Sequence, residues 1–454
     1  LTSTIILELI KNEKINIHAR KYSDSLKDIC FLLFINSNIT YNLLRKFIPL
    51  PHPDHLRKIY RYNMKIKKEN LLNQSQLEFL LHELHKEYSN DENEPVTAAL
   101  GFDAATIDPR DQGSTGLFVF DSQPVNGQLR SNVVFAKANK NGKANKEIMK
   151  TVDDIIVAGE KAKIIFKFIV SDSDSATNQI HIEFYNYISK FKGQTFDDLL
   201  EYVGNYSKPI PVSDWLHLLK NLRTRIIGNK IILFNGSDVI DIETIDQILD
   251  LEKTVKASRG RATMRDDIAL RLINDENLSI LAENDQFCCF ALILPFVLFT
   301  IAIQSENLSI EARKKLCFLS YDIINKISRE SEKLPQQKSD KTEKVAYLLN
   351  MMKIRVLNTI LVVAFALQNY SEHIMMSRLG THIIEFIFGR MRNGCNGFDS
   401  FDKCIYQLVK SQVTKEILDK YKQNKIPFLE DLILKIEIEN INQNKISAKC
   451  IELI

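Results

Sequence analysis

Residues 96–107 read VTAALGFDAATI, a run of apolar and small side chains with one acid, Asp103, in its middle. The composition, opening just after Pro95, predicts a strand. Aspartate is disfavoured in strands, so its presence beside Phe102, Ala104 and Ala105 calls for a reason other than propensity. Two further strand patterns follow, TGLFVFDS at 115–122 and NVVFAKAN at 132–139, separated by Gly, Asn, Asp and Ser; together they predict an antiparallel meander. Lys146 to Lys161 carries Ile148, Met149, Val152, Ile155 and Ile156 at helical spacing. KIIFKFIVS at 163–171 is another strongly hydrophobic strand and runs straight into Asp172, after which a helix begins near Ser175 and continues through IHIEFYNYI.

Three strands, a helix, a strand and a helix is the order of an RNase H-like α/β domain. In such a sheet the first and fourth strands lie side by side, so Asp103 and Asp172 would converge at the strand ends where α/β sheets place working residues. Beyond about residue 205 strand patterns nearly vanish and long helical patterns take over, broken by the polar stretch SRESEKLPQQKSDKTEK at 328–344. The expected architecture is an α/β RNase H-like catalytic domain interrupted by a large all-α insertion domain and preceded by a small helical helix-turn-helix unit. The boundaries are 1–68 for the helix-turn-helix unit, 69–94 for a linker helix, 95–204 for the first part of the α/β domain, 205–376 for the insertion, 377–410 for the final helix of the α/β domain, and 411–454 for a tail.

A chain of 454 residues, 45% hydrophobic and 26% charged, can bury substantial cores and favours roughly two to four domains. A net charge of +3, from 60 basic and 57 acidic residues, is too small to mark a nucleic-acid binder, so any DNA surface must be a local patch. The seven cysteines are scattered, with no CxxC pair and no zinc-finger spacing, which fits a reducing intracellular compartment. The opening segment LTSTIILELI begins with Leu1 and lacks signal-peptide flanks, so the chain reads as truncated at its N-terminus. Two apolar stretches, FCCFALILPFVLFTIAI at 287–303 and VLNTILVVAFAL at 356–367, are short for a membrane span; the first carries Pro295 and reads as a buried helix pair. A membrane-associated helical protein built on them is the outlying alternative.

Residues 20–62 contain three short helical patterns, SDSLKDICFLLFI, ITYNLLRKFI and, after LPHP, HPDHLRKIY. Arg45, Lys46, Arg57, Lys58, Arg61, Lys65, Lys67 and Lys68 gather toward the end, where a recognition helix and the chain after it would meet phosphates; a helical cap with a solvated basic face is equally compatible.

Glu385 is the third acid of interest, alone among Ile383, Ile384, Phe386, Ile387 and Phe388 in a helix expected from about Thr381 to Arg392. Three convergent carboxylates suit hard cations such as Mg²⁺ or Mn²⁺. Two such ions about 4 Å apart activate the attacking oxygen and stabilise the leaving oxygen of a phosphodiester. On pattern alone each acid could instead cap a helix or sit in a salt bridge.

The segments between about residues 20 and 400 resemble P-element-like and THAP-type DNA transposases in order and approximate spacing. YSDSLKDICFLLFINSNITYNLLRKFIPLPHPDHLRKIY resembles the family's helix-turn-helix, LGFDAATI its first-acid strand, FIVSDSDSATN its second-acid segment ending in Asn178, and LGTHIIEFIFGRMRNGCNGFDSF its third-acid helix. The resemblance implies a DDE-type triad of Asp103, Asp172 and Glu385 that binds Mg²⁺ or Mn²⁺. Asp172 stands six residues before Asn178 and Asp174 four, and the family's spacing falls between them. Asp172 is preferred because it follows the strand directly, whereas Asp174 suits a helix cap. DWLHLLKNLR at 214–223 resembles the entry helix of the family's GTP-binding insertion, with Asp214, His217, Lys220, Asn221 and Arg223 carrying the match, and MRDDIALRLIND at 264–275 a later helix. GTP binding follows from the resemblance alone, since the chain has no Walker A sequence. The cysteine pattern offers no counterpart of the family's zinc-coordinating THAP domain within this sequence, so sequence-specific end recognition is expected to be lost or to lie upstream of Leu1.

The expected function is therefore metal-dependent cleavage of transposon ends and strand transfer by a DNA transposase, with a catalytically inactive transposase-derived DNA-binding protein as the alternative. Implied partners are transposon-end and target DNA and further copies of the chain, in the nucleus and without a membrane. Smaller signals rank lower: Arg259, Arg261 and Arg265 suit a DNA backbone or a solvated helix start, Trp215 reads as core, and His52 and His55 have too few neighbours for a metal.

Overall fold

The structure is a computed structural model that describes residues 2–17, 19–36, 38–89, 91–106, 116–125, 132–139, 144–171, 177–227, 233–234, 238–239, 273–284, 287–304, 308–332, 340–370 and 408–409. The chain divides into two compact units, Leu1–Leu72 with Ile387–Ile454, and Asn73–Phe386.

The first unit contains α1 (Thr2–Glu13), α2 (Asp24–Asn36), α3 (Asn38–Leu44) and α4 (Pro53–Leu72). Leu26, Cys30 and Phe31 of α2 are buried with Tyr41 of α3 and Leu56 and Tyr60 of α4. Phe31 stacks on Tyr60 at 3.8 Å, and the Tyr60 hydroxyl donates to Asp28. Burial pushes the Cys30 thiol up to about 12, so it packs as a small apolar group. The Tyr41 hydroxyl donates to the Pro51 carbonyl at 2.8 Å and holds the turn before α4. Pro53 opens α4, where its missing N–H costs nothing and its fixed φ suits the first helical position. The third helix outruns the pattern HPDHLRKIY: its helical backbone continues through Lys65, Lys67 and Lys68, which the sequence had assigned to the junction with a linker.

The second unit is mixed α/β. It starts with α5 (Leu77–Tyr88), inside the stretch read as a linker helix; its Leu77, Leu81, Leu84 and Tyr88 are buried in the core under the sheet. Then come β1 (Val96–Thr106), β2 (Gly116–Pro124), β3 (Asn132–Asn139), α6 (Ala144–Lys161), β4 (Ile164–Ser171), α7 (Asn178–Ile188), α8 (Phe196–Gly204) and β5 (Ile210–Ser213). The five strands form one mixed sheet in the order β3-β2-β1-β4-β5. The first three make the expected antiparallel meander, and β4 and β5 run parallel to β1. β5, with the sequence IPVS, was not foreseen: four residues with an internal proline are too short to show a period-2 pattern. Glu147 and the Lys–Asp-rich solvent face make α6 amphipathic, and it buries Ile148, Val152 and Ile155 against one side of the sheet.

The other side of the sheet carries a second core. There Phe168 and Val170 of β4 and Val212 of β5 meet Phe184 of α7, Leu200 of α8 and Phe365. This core extends through α9 (Trp215–Ile227), α10 (Asp275–Glu283), α11 (Phe287–Gln304), α12 (Ile310–Glu332) and α13 (Asp340–Tyr370), while Leu233–Phe234 and Asp238–Val239 form a small hairpin, β6-β7. The apolar run at 287–303 is one helix, continuous through Pro295, whose carbonyl accepts from the Ser320 hydroxyl of α12 at 2.7 Å. Trp215, read as core, packs on Phe296 and Phe299, and its indole N–H donates to Thr300 Oγ1 at 3.1 Å. Within α13, Met351–Tyr370 is apolar and long enough to cross a membrane, yet 78% of its most apolar window is buried inside the protein.

Phe168 is fully buried and touches both Phe365 and Tyr370 edge-on, at 6.4 and 6.0 Å, so it joins the sheet to α13. Phe168→Ala should cost about 3–5 kcal/mol through lost burial and the cavity left behind, measured by urea unfolding; a cost below 1 kcal/mol would contradict this packing.

Candidate functional site

β4 and β5 end level with one another, and β1 continues to Thr106 beyond them. Phe102 of β1 pairs with Ser171 of β4, and Ser171 pairs with Ser213 of β5. Asp103 stands one residue beyond this row, half-buried, and opposite Val119 of β2. Alternation along β1 separates Ala98, Leu100 and Phe102, which enter the α5–α6 core, from Ala99, which enters the second core; Gly101 and Asp103 share the side of Ala99. Asp172, Asp174, Glu385, Arg259, Arg261 and Arg265 lie outside the described residues. Among the described residues, no three His, Cys, Asp or Glu side chains are grouped as a metal ion requires.

A second acid lies beside Asp103 in the sheet. Asp121 of β2 pairs with Gly101, and Gln123 pairs with Ala99, so both stand on the side that carries Asp103. Both side chains are fully buried, and the Gln123 amide donates to Asp121 Oδ2 at 2.8 Å. They come so close to β1 that a Cβ on Gly101 would lie 2.1 Å from Asp121 Oδ1 and 2.7 Å from Gln123 Nε2. The glycine in LGFDAAT is thus explained by close approach. The reasoning that singled out Asp103, an acid inside an apolar strand, applies equally to FVFDS and would have found Asp121.

At the carboxyl ends of β4 and β5, a buried polar network ties both strands to α7 and α13. Arg355 of α13, 4% exposed, donates from Nη1 to Ser213 Oγ at 3.1 Å and from Nη2 to Thr177 Oγ1 at 3.2 Å and Asn178 Oδ1 at 2.8 Å. The Ser171 hydroxyl reaches Thr177 Oγ1 at 3.2 Å. One helical turn on, Asn358 donates to the His181 carbonyl at 2.9 Å and to its Nδ1 at 3.2 Å. That leaves the His181 proton on Nε2, 3.2 Å from Ser213 Oγ. Thr359 accepts from the Ser213 backbone N–H at 3.2 Å. Burial, and then the nearby Arg355 charge, hold the His181 imidazole well below its ordinary range, so it is neutral.

The residues matched to a GTP-binding helix lie on α9 or at its start. Asp214 is buried, and its Oδ1 accepts from the Leu216 and His217 backbone N–H groups at 2.9 and 3.3 Å, so it serves as the helix N-cap. His217 and Lys220 come together: the buried Lys220 ammonium donates to His217 Nε2 at 3.3 Å. Asn221 is half-buried, and Arg223 belongs to the helix by its backbone. Trp215, Leu218, Leu219 and Leu222 take the opposite, core side of the helix. A separate cleft of about 620 Å³, lined by Thr97, Lys167, Glu201, Asn369 and Tyr370 among others, opens at the amino-terminal half of β1 and β4. It includes none of the acids singled out in the sequence.

Two substitutions probe this region. Gly101→Ala should lower stability by about 1–3 kcal/mol, because its methyl must displace packed polar groups; unchanged urea unfolding would refute the close approach. His181 is neutral when folded and takes up a second ring proton near pH 6.5 when unfolded, so its contribution is present above that pH and is lost as pH falls below it. The loss should be about 1.4 kcal/mol per pH unit, and His181→Gln should flatten this part of the stability profile between pH 7 and 5. Parallel profiles for the two proteins would count against a buried neutral imidazole.

No protein-family model matches the chain, and no curated protein matches it.

Proposed function

We propose that the chain is the body of a DDE-type DNA transposase, an RNase H-like nuclease and strand transferase interrupted by a helical insertion. The observation that carries this reading is the position of Asp103 in central β1, one residue past the pairing of Phe102 with Ser171 at the end of β4, in a chain whose next residue is Asp172. Adjacent strands lie about 4.8 Å apart, close enough for two such carboxylates to serve one pair of ions.

Asp103 and Asp172 would hold Mg²⁺ or Mn²⁺, with Glu385 completing the set. The bound ions would supply an activated water or 3′-hydroxyl and charge stabilisation at the phosphodiester. The chain's own share is to hold its acids rigidly at the sheet edge and to bring DNA to them. For the second task, Arg57 and Lys58 stand exposed near the start of α4, suited to phosphate contact, although Asp54 holds Arg57 at 2.8 Å. GTP, if it binds at α9, would meet His217, Lys220 and Asn221, because Asp214 serves as the cap.

The test uses supercoiled DNA carrying the termini that flank the chain's own coding copy. The wild type should cut it with Mg²⁺ or Mn²⁺, and Asp103→Asn should bind that DNA with the same salt dependence but leave it uncut. Equal cutting by both proteins would sink the assignment of Asp103, and salt-dependent binding without cutting by the wild type would identify a non-catalytic DNA-binding protein.

A further inference from the structure

The link between α3 and α4 carries the most exposed large apolar side chain among the described residues, Phe47, at 79%. Leu43, one helical turn earlier, is 54% exposed, and Lys46 is exposed beside them. Looseness of the chain does not explain this exposure. The N–H groups of Arg45, Lys46, Phe47 and Ile48 donate to the carbonyls of Tyr41, Leu43 and Leu44 at 2.9–3.1 Å, so the helical winding of α3 continues into the link. Beyond it the Leu50 N–H donates to the Ile48 carbonyl, the buried Tyr41 hydroxyl holds the Pro51 carbonyl, and Pro49, Pro51 and Pro53 restrict the remaining backbone. Phe47 is thus presented to solvent from a backbone fixed on both sides.

The surroundings are cationic. Residues 38–58 contain Arg45, Lys46, Arg57 and Lys58 against a single acid, Asp54, a local net charge of +3 in a chain whose entire net charge is +3. Asp54 is already engaged, with Arg57 at 2.8 Å and with His52 at 3.5 Å. Arg45, Lys46 and Lys58 form no ion pair among the described residues. An apolar partner surface covering Phe47 would have to draw these charges out of water as well, which is costly, whereas a polyanion neutralises them. An exposed ring with cations beside it suits unpaired nucleotides, whose phosphates meet the cations while a base meets the ring.

We propose that the α3–α4 link binds an unpaired stretch of DNA, with Phe47 stacked on a base and Arg45 and Lys46 at the neighbouring phosphates. The proposal rests on the transposase reading for the presence of DNA, since cutting and joining strands exposes unpaired nucleotides, and on the exposure and charge of the link for the contact itself.

The experiment measures binding of the full-length chain to a mixed-sequence oligonucleotide, either single-stranded or annealed to its complement, by fluorescence anisotropy across a range of salt. Wild type, Phe47→Ala, Phe47→Leu and Lys46→Ala are compared, with thermal unfolding to check the fold and sedimentation to check assembly. All four should melt together, because the replaced side chains are exposed. Phe47→Ala should bind the single strand about 5–150-fold more weakly, the range for losing one base–aromatic stack, with an unchanged salt slope. Phe47→Leu should lose nearly as much, since it keeps apolar bulk without a ring, and Lys46→Ala should reduce the single-strand salt slope by about 0.7. Unchanged single-strand affinity in Phe47→Ala overturns the proposal. Wild-type affinity in Phe47→Leu overturns the stacking, because apolar bulk would then suffice. Smaller assemblies for Phe47→Ala than for the wild type overturn it in favour of a surface between copies of the chain. Salt-dependent wild-type binding to duplex but not to single strand removes this contact and leaves the transposase reading standing, whereas no binding to either form removes both.

Discussion

The register of β4 on β1 slips by one residue: Ala98 pairs with Phe166, but Ala99 pairs with Phe168. The extra residue is Lys167, a β-bulge, and because side chains alternate with period 2 it reverses the side to which every later residue of β4 points. Before it, Ile164 and Phe166 enter the core under α5 and α6; after it, Phe168 and Val170 enter the core shared with α7, α8 and α13. One strand therefore feeds both cores. The same slip puts Phe168 and Val170 on the side of the sheet that carries Ala99 and Asp103. Lys167 itself is accommodated by donating to the carbonyls of Gly204 and Tyr206 at 3.1 and 3.4 Å, beside the Phe365 ring. Its partial burial lowers the lysine pKa, as expected for an ammonium withdrawn from water.

Where β4 and β5 end together, the buried polar groups must find partners away from water, because burying them unpaired is costly. The structure meets this with a single helix face. Arg355, Asn358 and Thr359 lie three and four residues apart on α13, so one stripe addresses Ser213, Thr177, Asn178 and His181 together. The stripe also explains why His181 is neutral: its neighbours offer one acceptor at Ser213 and one donor at Asn358, which is what a neutral imidazole needs, while a second proton would face Arg355 in a dry site.

The sheet was legible because its strands are apolar, well separated and long enough to show their period: β1 through β4 emerge from VTAALGFDAAT, GLFVFDSQP, NVVFAKAN and IIFKFIVS almost residue for residue, and α6 from the helical spacing of Ile148 to Ile156. β5 was hidden because four residues carry no periodicity, and the bulge because one inserted lysine leaves KIIFKFIVS reading as a plain strand. α5 falls in the stretch expected as a linker helix, and only the sheet shows what its apolar residues pack against. Of the candidate site, Asp103 was visible as an acid where a strand disfavours one. Asp121 sends the same signal. Arg355, His181 and Ser213 send none, since a network assembled from residues more than 140 positions apart exists only after folding.

α13 shows how far composition can mislead about such a residue. Met351–Tyr370 passes a length and hydropathy test for a membrane span, and Arg355 near its start looks like a flanking charge of the kind that ends a span. Its hydrogen bonds give it a different role. The apolar residues Val356, Leu357, Ile360 and Leu361 are buried against neighbouring helices and the sheet, and the polar stripe is turned to the strand ends. An isolated span in lipid would leave Arg355, Asn358 and Thr359 without the partners they have here, so the polar stripe and the apolar faces are satisfied together only by this packing. The helix is apolar because it crosses a core, and it keeps its arginine because the sheet edge needs one.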